Sequence, residues 1–303
     1  MGSTSSGRSP VENRLAAQQR AENFPVALRV LPARFRTDLA AVYAFARTVD
    51  DLGDEADGDR TAALTEFRAD LARVWDGEPE TPVLRELTRT VRARALPKEP
   101  FDRLVRANLR DQEQSGYATF DDLRDYCALS ADPVGRIVLG IFGVTDPAAP
   151  ALSDSICTAL QLVEHWQDVA EDRRAGRVYL PAEDMAAFGV EPGDLDSPVS
   201  CYPVRRLVGY EATRAADLLL AGEPLLRSLR GWARLAVTGY VAGGLAALDA
   251  LRRARWAVLE GTPRASRRDV LRHLVLLRLR PGRHVAAVAT RVRSAADLPG
   301  VAG

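Results

Sequence analysis

The chain has 303 residues, of which 47% are hydrophobic, and its 41 basic side chains balance its 41 acidic ones. This composition supports a large buried core, while the even charge excludes the overall positive field typical of nucleic-acid-binding proteins, so we expect no nucleic acid partner. The three cysteines, Cys127, Cys157 and Cys201, are scattered without metal-ligand spacing, which favours a reducing, cytoplasmic location.

Helical periodicity dominates the sequence. Ala, Leu, Arg and Glu recur at spacings of three and four, and alternating β-branched runs are rare, so the sequence predicts an all-α protein. The predicted helices cover residues 11–22, 35–53, 59–76, 82–94, 98–115, 119–131, 133–142, 151–174, 203–220, 223–230, 232–261 and 266–279. We expect a disordered tail over residues 1–10, one helical domain over 11–285 and a C-terminal tail over 286–303, with residues 181–200 forming a loop.

Two acidic clusters lie far apart in the chain, each inside an otherwise apolar helical stretch. The first cluster covers residues 50–55 and the second covers residues 164–172. Residues four apart on an α-helix share a face, so Asp50 and Asp54 lie on one side of their helix. The second cluster forms a stripe from side chains with the same spacing, which are Glu164, Asp168 and Asp172.

Two facing helices that carry these clusters would hold several carboxylates in a small space. Like charges repel when they are partly buried, so such a site requires cations. Oxygen donors suit Mg²⁺, which keeps several waters and is usually completed by substrate phosphates. The clusters therefore predict a magnesium site for a diphosphate substrate. A solvated charged face is the simpler interpretation of either cluster alone, but two clusters in apolar helices favour the metal site.

Three segments together resemble the squalene and phytoene synthase family. Residues 41–55 are similar to its first aspartate-rich motif, residues 161–181 to its second motif with the following loop, and residues 126–135 to its central helix. The three segments occur in the family's order and at its distances. The resemblance implies a single-domain helical bundle of the isoprenoid synthase type with a central active-site cavity.

Details within the segments resemble one branch of the family, the bacterial hydroxysqualene synthases of hopanoid pathways. The similar stretches are residues 22–27, 130–135, 166–168 and 241–245. Members of this branch replace the diphosphate of presqualene diphosphate with water. The resemblance therefore implies a Mg²⁺-dependent carbon-oxygen lyase that takes presqualene diphosphate and associates with other enzymes of the squalene pathway.

The resemblance also implies roles for individual side chains. The magnesium ligands would be Asp50, Asp51, Asp54, Asp168 and Asp172, and the stripe spacing adds Glu164 as a further candidate. The diphosphate would be bound by Arg47, Arg177 and Tyr179. Tyr43 and Tyr126 would stabilise a carbocation through the ring and position a proton or a water through the hydroxyl. An ordinary loop arginine at position 177 and a buried tyrosine with a satisfied hydroxyl at position 126 are the alternatives.

The second motif departs from the family at one position, where Glu164 replaces the usual asparagine. Two interpretations are open: Glu164 lies in or next to the metal shell, or its side chain turns aside and pairs with an arginine. His165 lies off the carboxylate stripe, so we expect it to pack in the core or to support a metal ligand rather than to bind the metal itself. Gln167 stands where condensing relatives often carry a basic residue, which suits an enzyme that handles one diphosphate rather than two.

Three other functions stay open. A condensing enzyme of the same fold would make presqualene diphosphate or phytoene from two shorter diphosphates. A di-iron or metal-storing bundle would use Glu-x-x-His pairs, and the sequence contains none. A catalytically silent subunit would scaffold a pathway partner. Reduction by NADPH would need a Gly-rich turn between a strand and a helix, which the sequence also lacks, so quenching by water is favoured.

The C-terminal part of the sequence carries two segments with a bearing on membrane contact. Residues 235–251 are the most apolar segment, but they fall short of the roughly 20 residues that a spanning helix needs, so we expect a buried helix. Residues 264–283 carry seven arginines against one acidic residue, Asp269, among several leucines. Two interpretations of this basic amphipathic segment are open: a helix that rests on an anionic membrane surface, and a terminal bundle helix with a solvated basic face.

Overall fold

The computed structural model describes residues 31–297, and every regular element in this range is helical, which confirms the predicted fold class. The α-helices, in chain order, are α1 (Ala33–Asp54), α2 (Arg60–Asp76), α3 (Pro82–Arg94), α4 (Glu99–Asp111), α5 (Phe120–Ser130), α6 (Asp132–Ile141), α7 (Ala149–Gln167), α8 (Val169–Arg174), α9 (Ala182–Phe188), α10 (Tyr202–Gly222), α11 (Pro224–Ser228), α12 (Gly231–Arg253), α13 (Arg267–Leu279) and α14 (Pro281–Ala296). The predicted tail over 1–10, the helix over 11–22 and the segment 22–27 lie outside the described residues.

The N-terminal half of the bundle packs around aromatic side chains. On α1, buried residues recur every three or four positions, so one face of this helix is apolar. Phe45 lies at the centre of that face, with its ring centroid 5.4 Å from that of Phe101 on α4 and 6.0 Å from that of Phe67 on α2. This packing fixes the rotation of α1, and therefore fixes which acidic side chains at its C-terminal end face α4.

The C-terminal half packs around α7, α10 and α12. Helix α12 is buried along most of its length, which confirms the prediction that residues 235–251 form a buried bundle helix. Helix α6 joins the two halves because it contacts α1 and α4 on one side and α7 on the other. In the part of the chain that the structure describes, no helix is long and apolar enough to cross a membrane.

The helix predicted over 98–115 ends at Asp111, and two other predicted helices depart further from their predicted bounds. The helix predicted over 151–174 is interrupted at Asp168, whose φ and ψ angles are −104° and 16°. No glycine or proline marks this break, but the Gln167 side chain bonds to the carbonyl of Pro263, a tertiary contact that periodicity cannot show. The helix predicted over 232–261 ends at Arg253, because Trp256 is fully buried and its indole donates to the Ala295 carbonyl at 3.1 Å.

Two segments predicted without helices contain them. The loop predicted over residues 181–200 includes α9 and a 3₁₀ turn at Pro192–Asp196. The C-terminal tail predicted over 286–303 is wrong as far as residue 296, because α14 continues to Ala296 and buries Val285, Val288 and Val292. Pro281 is the source of this error, since a proline after the end of one helix is also well suited to the first turn of the next.

Candidate active site

A cavity of about 700 Å³, counted together with its open mouth, lies where α1, α4, α5 and α7 meet. Its apolar wall is formed by Ala46, Val49, Leu104 and Ala107. Its polar wall is formed by Asp50, Asp54, Asn108, Asp111, Tyr126, Ser130, Gln161, Arg177 and Tyr179. The cavity therefore combines an apolar surface with carboxylates, one guanidinium and two phenols.

Helix α1 supplies two carboxylates to this cavity. Asp50 reaches solvent through the cavity, yet the protein surrounds it closely enough that burial raises its pKa to about 6, against a smaller lowering by the Asn108 hydrogen bond. The Asn108 amide donates to Asp50 at 3.4 Å, and it can approach because Gly53 has no Cβ where the Asn108 side chain lies. Asp54, one turn later, accepts a 2.9 Å hydrogen bond from Arg177.

The other acidic residues of the first cluster are neutralised within α1. Arg47 lies 2.6 Å from Asp51 and 2.9 Å from Glu55. Neither Arg47 nor Asp51 lines the cavity, and Tyr43, one turn earlier, is half-buried outside it as well. Within residues 31–297, however, the buried Nε atom of Arg47 has no hydrogen-bond acceptor, so part of this guanidinium stays available to an anion.

Arg177 holds a similar unused donor. Its terminal nitrogen binds Asp54, while its buried Nε atom has no acceptor among the described residues. The loop after α8 places Arg177 through a hydrogen bond from the next residue, Val178, whose amide donates to the Ser115 carbonyl at 2.8 Å. A buried donor without a partner is costly, and an oxygen-rich ligand in the cavity would satisfy it.

Tyr126 lies at the base of the cavity and donates a 2.8 Å hydrogen bond to Asp111. Burial raises the pKa of Asp111 to about 6, and it raises the pKa of Tyr126 well above the ordinary value for tyrosine. Tyr117 and Tyr179 lie beside Tyr126, with ring centroids 5.4 and 6.0 Å away. Tyr126 and Asp111 are thus hydrogen-bonded to each other, and the neighbouring tyrosine rings extend this electron-rich surface.

The second cluster surrounds the break between α7 and α8. Burial, followed by the charges of Glu171 and Asp172, raises the pKa of Asp168. Glu171 accepts a 2.8 Å hydrogen bond from Thr262, in the loop before α13. Asp172 lies 3.9 Å from the ring nitrogen of His165 and faces a narrow crevice next to the cavity, lined also by Arg177 and Tyr179.

His165 makes packing contacts and also lies beside Asp172, so both roles expected for it stay open. Its ring stacks on that of Tyr179 with centroids 3.6 Å apart, and it contacts the Gln161 side chain at 3.2 Å. Glu164, the residue that departs from the family pattern, has an exposed side chain outside the cavity wall. The structure thus brings five of the expected residues to one cavity: Asp50, Asp54, Tyr126, Arg177 and Tyr179.

Sequence reasoning missed four polar residues of the cavity: Asn108, Asp111, Ser130 and Gln161. The sequence contains a pattern that could have indicated Asn108 and Asp111. Leu104, Ala107, Asn108 and Asp111 follow the spacing of one helical face, so two polar side chains continue an apolar stripe. Polar residues aligned with a buried face are candidates for a site rather than for a solvated surface.

A magnesium ion fits these donors only if the two acidic clusters share it and substrate phosphates complete its coordination. Within residues 31–297, no three His, Cys, Asp or Glu side chains converge closely enough to form a closed metal site. Each cluster nevertheless keeps one aspartate, Asp50 or Asp168, whose pKa is raised because burial outweighs the positive charge nearby. Mg²⁺ commonly takes one or two carboxylates, several waters and substrate phosphates, and these carboxylates match that need.

Comparisons with known proteins identify the family. The model of the squalene/phytoene synthase family matches residues 17–270. This chain therefore belongs to the squalene/phytoene synthase family, which confirms the resemblance seen in the sequence.

Three relatives are informative. The hydroxysqualene synthase of Zymomonas mobilis is 36% identical over 65% of this chain and 67% of that protein. The hydroxysqualene synthase of Rhodopseudomonas palustris is 34% identical over 73% of this chain and 76% of that protein. The squalene synthase HpnC of Alicyclobacillus acidocaldarius has a crystal structure, and its sequence is 42% identical to this chain. Its structure matches this one with a TM-score of 0.74, and the match covers 82% of this chain and 97% of HpnC.

Proposed function

We propose that this chain is a Mg²⁺-dependent hydroxysqualene synthase, which converts presqualene diphosphate and water into hydroxysqualene and diphosphate. The observation that carries the proposal is the cavity itself, because one wall is apolar while carboxylates and Arg177 form the other. A substrate with a long hydrocarbon part and a diphosphate head has the same two-sided character. The relatives named hydroxysqualene synthase support the particular reaction.

The diphosphate would bind at the polar wall. Arg177 can turn its unsatisfied Nε donor to a phosphate oxygen without losing its contact to Asp54. Arg47 has the same unused donor on the neighbouring turn of α1, and a small rotation of its side chain would exchange Glu55 for the substrate. Guanidinium groups suit this task because their planar donors match phosphate oxygens.

The acidic residues would hold magnesium between the protein and the diphosphate. Asp50 and Asp54 would provide ligands from α1, and Asp168 and Asp172 would provide them from the α7–α8 region, with Glu164 and Asp51 as further candidates. Bound Mg²⁺ would supply Lewis-acid stabilisation of the negative charge that grows on the departing diphosphate. The raised pKa values of Asp50 and Asp168 fit this role, since a nearby cation would stabilise their ionised forms.

Tyr126 would stabilise the cation, and Tyr126 with Asp111 would take up the proton that the attacking water releases. As the carbon-oxygen bond to diphosphate breaks, the phenol rings of Tyr126 and Tyr179 would face the cationic hydrocarbon and stabilise it. The oxygen of one water then forms the new carbon-oxygen bond and releases one proton. The Tyr126 hydroxyl donates to Asp111, so it can accept a hydrogen bond from that water and pass the proton on to the carboxylate.

A condensing activity is the second candidate, because the solved relative at 42% identity is titled a squalene synthase. The two activities differ in substrate. Purified protein with Mg²⁺ would be given presqualene diphosphate or farnesyl diphosphate, with and without EDTA, and the products identified by mass spectrometry. We expect hydroxysqualene from presqualene diphosphate only, and none with EDTA. Presqualene diphosphate formed from farnesyl diphosphate would establish the condensing activity instead.

A catalytically silent scaffold predicts a third result. Such a protein would turn over neither substrate, and the double variant Asp50→Ala/Asp168→Ala would keep both its folding and the cellular level of product. The proposed enzyme instead requires that this variant fold normally and make no product. Circular dichroism and a product assay in cells that depend on this chain distinguish the two cases.

A further inference from the structure

Helix α13 carries an apolar stripe on its outer surface. Leu271, Val275 and Leu279 are 59%, 49% and 72% exposed, which makes them the largest group of exposed apolar side chains on any described helix. They follow one another at intervals of four, so they form a single row about 12 Å long. Single exposed leucines are ordinary on a protein surface, but a row of three is typical of an interaction site.

Arginines border this row. On a helical projection, Arg278 lies on one side of the stripe and Arg272 on the other, while Arg267 and Arg268 lie at its N-terminal end, and all four are exposed. Within residues 31–297, none of the four forms an ion pair with a carboxylate. The nearby acidic residue, Asp269, is already paired with Arg253 at 2.9 Å. The surface around the stripe therefore carries uncompensated positive charge.

The opposite face fixes α13 to the body of the protein. His273 and Leu277 are buried on that face. Each follows a residue of the stripe by two positions, which places it on the opposite side of the helix. The His273 ring contacts Asp249 on α12 at 3.2 Å and His284 on α14 at 2.9 Å. Ser266 and Asp269 form a capping box that fixes the start of the helix. The stripe is thus presented on a preformed helix rather than on a segment that must fold on contact.

We infer that the outer face of α13, defined by Leu271, Val275 and Leu279 with their flanking arginines, docks on an anionic membrane surface. Apolar side chains that enter the headgroup boundary, together with arginines at the level of the phosphates, match the chemistry of such a surface. A second copy of this chain is a poorer partner because the arginines of the two faces would repel each other.

The docking face is physically connected to the candidate active site. The loop that leads into α13 bonds to the second acidic cluster twice, from Thr262 to Glu171 and from the Gln167 side chain to the Pro263 carbonyl. A membrane bound by α13 would therefore lie close to the α7–α8 break. This position would shorten the path of an apolar product into lipid, although the docking itself does not depend on which reaction the site performs.

Vesicle flotation tests the inference with the full chain. The wild-type protein would be mixed with vesicles of phosphatidylcholine alone, or with about 30 mol% phosphatidylglycerol, at low salt and at about 0.5 M salt. We expect recovery with the anionic vesicles at low salt, and a large loss at high salt or without the anionic lipid. Equal recovery on neutral and anionic vesicles would overturn the charge-based docking.

Matched variants locate the surface. Leu271→Ser/Val275→Ser/Leu279→Ser should weaken binding by more than about tenfold, because the apolar area that enters the lipid is lost. Arg272→Gln/Arg278→Gln should weaken it by about fivefold per arginine. Val199→Ser, at a residue 54% exposed outside α13, and Arg106→Gln/Arg124→Gln on α4 and α5 are the controls and should bind as wild type.

Two outcomes contradict the inference. The serine variant could bind anionic vesicles as tightly as the Val199→Ser control, which would exclude the stripe. Alternatively, neither the wild-type protein nor the serine variant could float with vesicles, while analytical ultracentrifugation shows that only the wild-type protein self-associates. That result would assign the stripe to contact with a second copy of the chain. Thermal melts of all variants establish that they remain folded, as expected for substitutions of exposed side chains.

Discussion

Both acidic clusters contain carboxylates four residues apart, but their surroundings differ. The first ends one continuous helix, so the spacing of Asp50 and Asp54 directly places both carboxylates in the cavity wall. The second lies across a helix break at Asp168, and only Asp172 approaches the cavity, through the crevice that it shares with Arg177. Identical spacing therefore has a different structural meaning when the helix is interrupted.

The clusters also differ in how their charge is compensated. Within the first, Arg47 holds Asp51 and Arg177 holds Asp54, so Asp50 is the carboxylate without a nearby guanidinium bonded to it. In the second, the loop before α13 supplies Thr262 as a hydrogen-bond donor and Arg264 as a nearby charge. In each cluster one aspartate, Asp50 or Asp168, keeps a raised pKa because burial outweighs the donors and positive charge nearby, and an added cation would stabilise its ionised form.

The strongest test of this comparison is within the first cluster. Asp50→Asn should reduce kcat/KM by at least about 100-fold, because a ligand for the cation that stabilises the leaving group is lost. Asp51→Asn removes a carboxylate of the same helix that faces Arg47 instead, and its effect should be smaller by an order of magnitude. Equal losses for the two variants, measured by steady-state kinetics, would show that orientation toward the cavity does not matter.

Arg177 connects the two clusters, so its replacement should have the next largest effect. Arg177→Lys keeps the positive charge but loses the planar fork that spans Asp54 and the substrate, and we expect a loss of about 10- to 100-fold in kcat/KM. Arg173, four residues earlier, pairs with Asp196 away from the cavity, so Arg173→Lys is the matched control. A control as impaired as Arg177→Lys would point to general damage to the loop.

Tyr126 should matter through its hydroxyl. Tyr126→Phe removes the donor to Asp111, and we expect kcat to fall about tenfold or more while KM changes little. Tyr117→Phe provides the comparison, since the Tyr117 hydroxyl is buried without a hydrogen-bond partner among the described residues. If both variants retain full kcat, the hydroxyl of Tyr126 has no part in catalysis.

A third acidic site, remote from both clusters, should affect stability only. Glu211 on α10 is fully buried beside Arg214 and Asp184, and burial raises its pKa to about 9. The folded-state pKa lies above the unfolded value, so the stability contribution of this group is complete at low pH and is lost as pH rises toward 9. Glu211→Gln mimics the protonated form and should raise the melting temperature at pH 8 more than at pH 5.

Activity of this variant gives the accompanying control. Glu211→Gln should leave kcat/KM close to the wild-type value, because Glu211 does not line the cavity. A melting temperature that changes equally at both pH values would show that Glu211 is already ionised in the folded protein.

Sequence periodicity was sufficient for the helical fold and for the orientation of Asp50 and Asp54, because α1 is regular and packs through one apolar face. It was insufficient at Asp168, where contacts from the distant loop at Pro263 accompany the break. It also missed Asp111, because nothing within α4 shows that the partner of this carboxyl is a tyrosine from the next helix. Local rules predict faces, whereas the pairing of faces depends on the whole bundle.

In the proposed reaction, water entering a cavity formed by the first cluster and Tyr126 quenches a cation from presqualene diphosphate. Running the reaction with Mg²⁺ in H₂¹⁸O and analysing the product by mass spectrometry tests it most directly. We expect hydroxysqualene that carries one ¹⁸O atom. An unlabelled alcohol, or a hydrocarbon product without oxygen, would contradict it.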